Sequence, residues 1–243
     1  MANWSDPRVT ARPQPTATTG REAVAFDAGL RSYMLSIYNY MASGILLTGI
    51  VAMLFARSGL AAEVLATPLR WLIILAPLAF VMVMSFGMNR LSQGTLQVLF
   101  WSFATVMGLS LSSIFLVYTG ESIALTFFSV AAAFAGLSLW GYTTKRDLSG
   151  MGTFLIMGVI GLIVAMVINL FLQSSALQMA VSFIGVLLFA GLTAYDTQRI
   201  KSLYFQVAGS DIMGKTVIMG ALTLYLDFIN MFMFLLQFLG NRE

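Results

Sequence analysis

Ten acidic residues occur in this chain, and eight of them (Asp6, Glu22, Asp27, Glu63, Glu121, Asp147, Asp211 and Glu243) fall in polar stretches. Asp196 and Asp227 are different: each interrupts a long apolar run. A bare carboxylate in hydrocarbon costs at least about 2.5–3.5 kcal/mol, so an acid kept there needs a partner or a task. Around Asp227, positions 223, 227, 230, 234 and 237 follow helical spacing, giving one stripe of Thr223, Asp227, Asn230, Phe234 and Gln237 inside an otherwise apolar segment. Thr193, one turn before Asp196, offers similar polar support. Two carboxylates sharing a dry site cannot both ionise cheaply, so one proton is held jointly and the pair can sense protons. The same oxygens suit a hard cation such as calcium, which would compete with the proton.

Other chemistry is thinly supplied. The chain has no His and no Cys, which removes thiol catalysis, Cys/His zinc sites, His-ligated haem and the histidine pH switch. There is no GxSxG, HExxH or phosphate-binding glycine loop. A paired-aspartate intramembrane protease would use two Asp residues on neighbouring helices, but no further feature of such enzymes is present. The expectation is a non-enzyme without a tightly bound cofactor, with calcium as a permeant or transient ligand of Asp196 and Asp227.

The elements that must position these acids are read from composition. Of the 243 residues, 59% are hydrophobic and 9% charged, against about 25% charged in a soluble domain, and mean hydropathy is +0.88. Continuous apolar runs predict seven membrane-crossing helices rather than a barrel, over 34–56, 71–90, 96–118, 122–142, 152–172, 177–203 and 216–239. The fold class is therefore an all-α polytopic membrane protein. Residues 1–30, polar and carrying Pro7, Pro13 and Pro15, are expected to be a disordered tail before a seven-helix domain over 31–243.

Ten Lys and Arg residues fall on one side of the predicted spans and three on the other, which puts the N-terminus in the cytoplasm and the C-terminus outside. These basic residues orient the chain in the lipid bilayer; no nucleic-acid role is argued from the net charge of +3. Counting inward from Tyr204 and from Gly220 gives Asp196 a depth of about 12 Å and Asp227 at least about 10 Å, so the two can meet. Arg90, ending the second predicted span on the same side, could bind one carboxylate through a charge-assisted bond and release it.

Each residue also has a plainer reading. Asp196 could be solvated near the interface, Asp227 could pair structurally without switching anything, and Arg90 could be a snorkelling anchor. Small residues aligned as Thr105, Gly108 and Ser112, as Ser129, Ala133 and Gly136, and as Gly158, Gly161, Ala165 and Asn169 are expected to mark tight helix contacts.

The segments LTLYLDFINMFMFLLQFLGNR (222–242), GLTAYDTQRIK (191–201), GYTTKRDLSGMG (141–152) and GLSLSSIFLVYT (108–119) together resemble the Bax inhibitor-1, or transmembrane Bax inhibitor motif, family, in particular its bacterial branch, over roughly residues 25–242. The resemblance implies a bundle whose last helix is enclosed by the other six. It also implies a pH-sensitive calcium leak in the bacterial inner (plasma) membrane, with Asp196 and Asp227 as the sensor. An arginine latch on the first of these corresponds to Arg90. Bacterial relatives are also linked to a membrane-bound AAA protease. That implies an alternative role as a regulator or inhibitor of such a protease, without ion conduction, in which the tail 1–30 would be the handle.

Overall fold

The computed structural model describes the backbone of residues 17–241 and the side chains of residues 28–241. Among the described residues eight α-helices follow one another: α1 (Ala17–Arg57), α2 (Leu60–Leu65), α3 (Leu69–Gly87), α4 (Gln93–Leu111), α5 (Gly120–Thr143), α6 (Ser149–Leu172), α7 (Ser175–Val207) and α8 (Met213–Leu239), with a 3₁₀ segment, Ser112–Leu116, prolonging α4. All but the short α2 are long and apolar enough to cross a membrane, α1 from Ala28 and α4 together with its 3₁₀ extension. The seven predicted spans are thus found, and α2 is an addition between the first two.

Short polar residues set the boundaries. The hydroxyls of Ser92, Thr119 and Ser174 accept hydrogen bonds from the backbone N–H of Thr95, Ser122 and Leu177 at 3.1–3.3 Å, capping α4, α5 and α7. At the start of α6, Asp147 accepts from the Ser149 N–H at 2.9 Å, and this hydrogen bonding holds its carboxyl below the usual carboxylate range. The first helix enters the segment expected as a tail. It already begins at Ala17, so residues 17–30 continue the helix, while residues 1–16 lie outside the described residues.

Helix α8 is the most deeply placed. In its most apolar stretch 72% of residues are buried, against 11% in α3 and in α6. Its extensive contacts are with α7, α1, α5 and α4, whereas α3 packs on α4 and α6 packs on α7. The main packing partners of α8 are therefore four helices, while α3 and α6 pack mainly on α4 and α7.

The stripes of small residues divide. On α4, Gly108 is backed so closely by α1 that an added Cβ would lie 2.7 Å from the Thr48 carbonyl oxygen. On α6, Gly158 meets Leu188 of α7, but Gly161 has open space. On α5 the expected stripe is a correction: Ser129, Ala133 and Gly136 are exposed. The packed face instead carries Thr126, Val130, Ser138 and Gly141, where the backbone of Ala194 sits directly against Gly141. Alternating small residues occur on both faces of α5, and only the position of α7 distinguishes them.

Candidate functional site

Helices α7 and α8 run antiparallel, and their facing residues form layers. Asp196 faces Asp227, Phe189 stacks on Phe234 with ring centroids 5.8 Å apart, and the Ser182 hydroxyl donates to Gln237 Oε1 at 3.3 Å. The steps along α7 are seven residues each, which returns a helix to nearly the same face after two turns. The α8 residues of these layers are those of the polar stripe read from the sequence.

The two acids come together. Asp196 is 7% exposed and Asp227 is 4% exposed, and their carboxyl groups lie within hydrogen-bonding reach of each other. A hydrogen bond between two carboxyl groups requires a proton on one of them. This burial speaks against a solvated position for Asp196. Oδ2 of Asp227 is buried and finds no hydrogen-bond donor among the described residues.

Arg90 is not brought to the pair. Helix α3 ends at Gly87, and Arg90 lies beyond it in a turn closed by its own N–H on the Gly87 carbonyl at 2.9 Å. Its side chain is exposed and forms no ion pair among the described residues. The cation that does approach is Arg199, one turn along α7, with its guanidinium 4.0 Å from Asp196 Oδ1. The Arg199 side chain is 61% exposed, so this contact is loose and well screened.

The polar residues expected to support the acids are bonded within their own helices. Thr193, Thr223 and Asn230 donate to the carbonyls of Phe189, Met219 and Leu226, at 2.8, 3.1 and 2.8 Å. Each is the i−4 carbonyl, a bond that satisfies a polar group in a membrane helix without a partner helix.

Four further residues, Thr197, Gln198, Tyr225 and Phe228, position the site and were not singled out from sequence as site residues. Asp196, Thr197 and Gln198 are consecutive and, at about 100° per residue, point to three different elements. Thr197 lies 2.9 Å from the Ser138 hydroxyl of α5. Gln198 accepts from Leu148 N–H and donates to the Arg146 carbonyl, both at 2.8 Å, fastening the α5–α6 loop onto α7. In α8, Tyr225 points the opposite way from the acids' neighbours, its hydroxyl 2.7 Å from Thr48 of α1. Phe228 turns to α5, against Phe127 and Phe134. Asp227 is held in line with Asp196 because residues on either side of it are fixed to other helices. The only signal in the sequence was the polar run Thr197–Gln198 after Asp196, which does not say what each residue touches; Asp227 is flanked by Leu226 and Phe228.

As a metal centre the donor set is small. Among the described residues no three acidic side chains gather. Calcium takes six to eight oxygens, so the two carboxyl groups by themselves fall short of its usual donor set.

Comparison with known proteins places this arrangement. The family described as inhibitor of apoptosis-promoting Bax1 matches residues 30–243. A protein of Rickettsia prowazekii, named only as uncharacterised, is 49% identical over 94% of this chain and 97% of its own length. The inner membrane protein YbhL of Escherichia coli is 49% identical over 89% of this chain and 94% of its own. An uncharacterised protein of Caulobacter vibrioides is 46% identical over 92% and 94%. With its seven membrane-long helices and a match along nearly the whole of them, the chain belongs to the Bax inhibitor-1 family of membrane proteins.

Proposed function

We propose that the protein is a proton-regulated calcium leak of the bacterial inner membrane, with Asp196 and Asp227 as its sensor, the N-terminus in the cytoplasm and the C-terminus outside. One observation carries this reading: two acids, each alone in an apolar helix, meet inside the bundle within hydrogen-bonding reach. Burying a charge that has no structural partner is costly, and a pair that shares a proton exchanges that cost for sensitivity to pH. When the proton leaves, two like charges face each other in a poorly solvated space, and α7 and α8 are driven apart or draw in a cation. The unsatisfied Asp227 Oδ2 is the atom from which a cation or water gains most. The inner-membrane location is supported by the likeness to YbhL, and the orientation by the excess of Lys and Arg on the side of Lys145, Arg146 and Lys201.

The test is calcium flux in proteoliposomes across a pH series. Asp227→Asn keeps the hydrogen bond and removes the shared titration, so most of the pH dependence is expected to vanish; Asp196→Asn should act alike. If both Asn variants match the unaltered protein in flux and in pH profile, the sensor reading is wrong. The partner role at a membrane-bound AAA protease would then stand in its place.

A further inference from the structure

Along one flank, α1 and α5 stand on either side of α8 without closing on each other. An apolar cleft runs between them. Its larger part, about 590 Å³, is walled by Met41, Ala42 and Ile45 of α1 and by Ala131, Phe134 and Ala135 of α5. A second part of about 320 Å³ continues it, and Ile45, Phe127 and Phe228 border both. From Gly120 to Tyr142 the lining extends about 33 Å along α5, close to the thickness of the hydrocarbon core. Three alanines keep the walls low where larger residues would bridge them. The cleft is open to the side, within the bilayer, where the fluid that fills an apolar gap is lipid chain and not water.

One end of the larger part is polar. Tyr38 and Ser138 border it with their hydroxyls 2.6 Å apart, and Ser138 is 2.9 Å from Thr197. Beyond them lies Lys201, one turn after Thr197. Its ammonium donates to the Tyr142 carbonyl at 2.7 Å and stands 4.8 Å from the centre of the Tyr142 ring, which also borders the cleft. An ammonium has three donors, and among the described residues Lys201 forms no ion pair. Lys145 and Arg146, on the loop that follows α5, add positive charge at the same end. An apolar slot of bilayer length ending at an uncompensated cation is complementary to an anionic amphiphile.

We propose that the α1–α5 cleft binds one anionic glycerophospholipid, with an acyl chain in the larger part and the phosphate on Lys201. The acyl chain lies over the edge-on rings of Phe127, Phe134 and Phe228, and the phosphate uses donors that Tyr142 leaves free. This site is separate from the carboxyl pair and does not depend on ion conduction.

The full-length protein, purified in detergent, is offered phosphatidylglycerol or phosphatidylcholine of matched chains, and bound lipid is counted by native mass spectrometry. One phosphatidylglycerol per chain is expected, retained about fivefold better than phosphatidylcholine. Lys201→Gln should bring the two lipids level, Ala131→Trp should lower both, and a Lys145→Gln, Arg146→Gln double variant should lower phosphatidylglycerol retention less than Lys201→Gln does. Equal retention of both lipids by the unaltered protein overturns the proposal. So does full retention in Ala131→Trp, or a loss confined to the loop variant, which would place the lipid outside the cleft. Circular dichroism checks folding, and Ala42→Phe, which fills the same space from the exposed face of α1, replaces Ala131→Trp if that chain does not fold.

Discussion

Tyr225 is fully buried, and its hydroxyl has one partner, the Thr48 hydroxyl at 2.7 Å; Thr48 in turn donates to the Ala104 carbonyl at 2.8 Å. Tyr225 therefore donates and Thr48 accepts, which joins α8, α1 and α4 in one chain of bonds. Tyr225→Phe removes the donor and leaves Thr48 still bonded to the carbonyl. It is expected to cost about 0.5–1.5 kcal/mol, read as a lowered thermal midpoint in detergent. Thr48→Val orphans the buried phenol and should cost more, about 1–3 kcal/mol. The opposite ranking would mean that Thr48 is not the acceptor. The same logic separates the two arginines: Arg199, exposed and 4.0 Å from Asp196, can shade that carboxyl but contributes little to stability, and Arg90 lies in an exposed turn and forms no ion pair among the described residues.

At the scale of elements, α7 and α8 form a seam whose layers are unlike. Immediately beyond the acids, Phe234 stacks on Phe189 and is seated against Gly185, where an added Cβ would lie 2.6 Å from the Phe234 ring. On the proposed reading, an ion released from the carboxyl pair toward the Ser182–Gln237 layer would meet these rings first. Phe234→Ala is accordingly expected to raise basal calcium flux severalfold in proteoliposomes while leaving its pH dependence in place, since the acids are untouched. Unchanged flux would show that the path, if present, does not pass along this seam. The lateral cleft lies between α1 and α5 and meets the seam only through Phe228 and the Ser138–Thr197 contact, while Ala42, Ala131 and Phe234 sit on three different helices. Filling the cleft and opening the seam can be studied as independent changes.

The molecule as a whole is a bundle of seven membrane-long helices in which α8 is the most buried, and ten of its thirteen Lys and Arg residues fall on one side of the spans predicted from sequence. Because the chain has no cysteine, single cysteines report sidedness cleanly. Lys145→Cys in intact bacterial cells should be protected from an impermeant maleimide until the membrane is opened, and Glu63→Cys should react at once. The reverse pattern would overturn the N-inside orientation.

How much of this was legible beforehand follows from what fixes each feature. The seven helices were readable because a bilayer imposes a length and a composition on every segment that crosses it, whatever its neighbours. The two acids stood out for the same reason: a carboxylate in an apolar run is conspicuous by its solvation cost alone. Their meeting was an inference from depth, and depth leaves rotation about each helix axis undecided. That rotation is set by distant residues, among them Thr197 on Ser138 and Tyr225 on Thr48. It also decided that Ser129, Ala133 and Gly136 face outward while Gly141 is packed, that Arg199 and not Arg90 stands beside the pair, and that α1 and α5 leave a gap. Local sequence determined which segments enter the membrane and what they carry, because transfer into lipid is a property of each segment by itself. Tertiary structure alone decided which side chains face each other, because a helix presents every residue to some direction and only its neighbours give that direction a meaning.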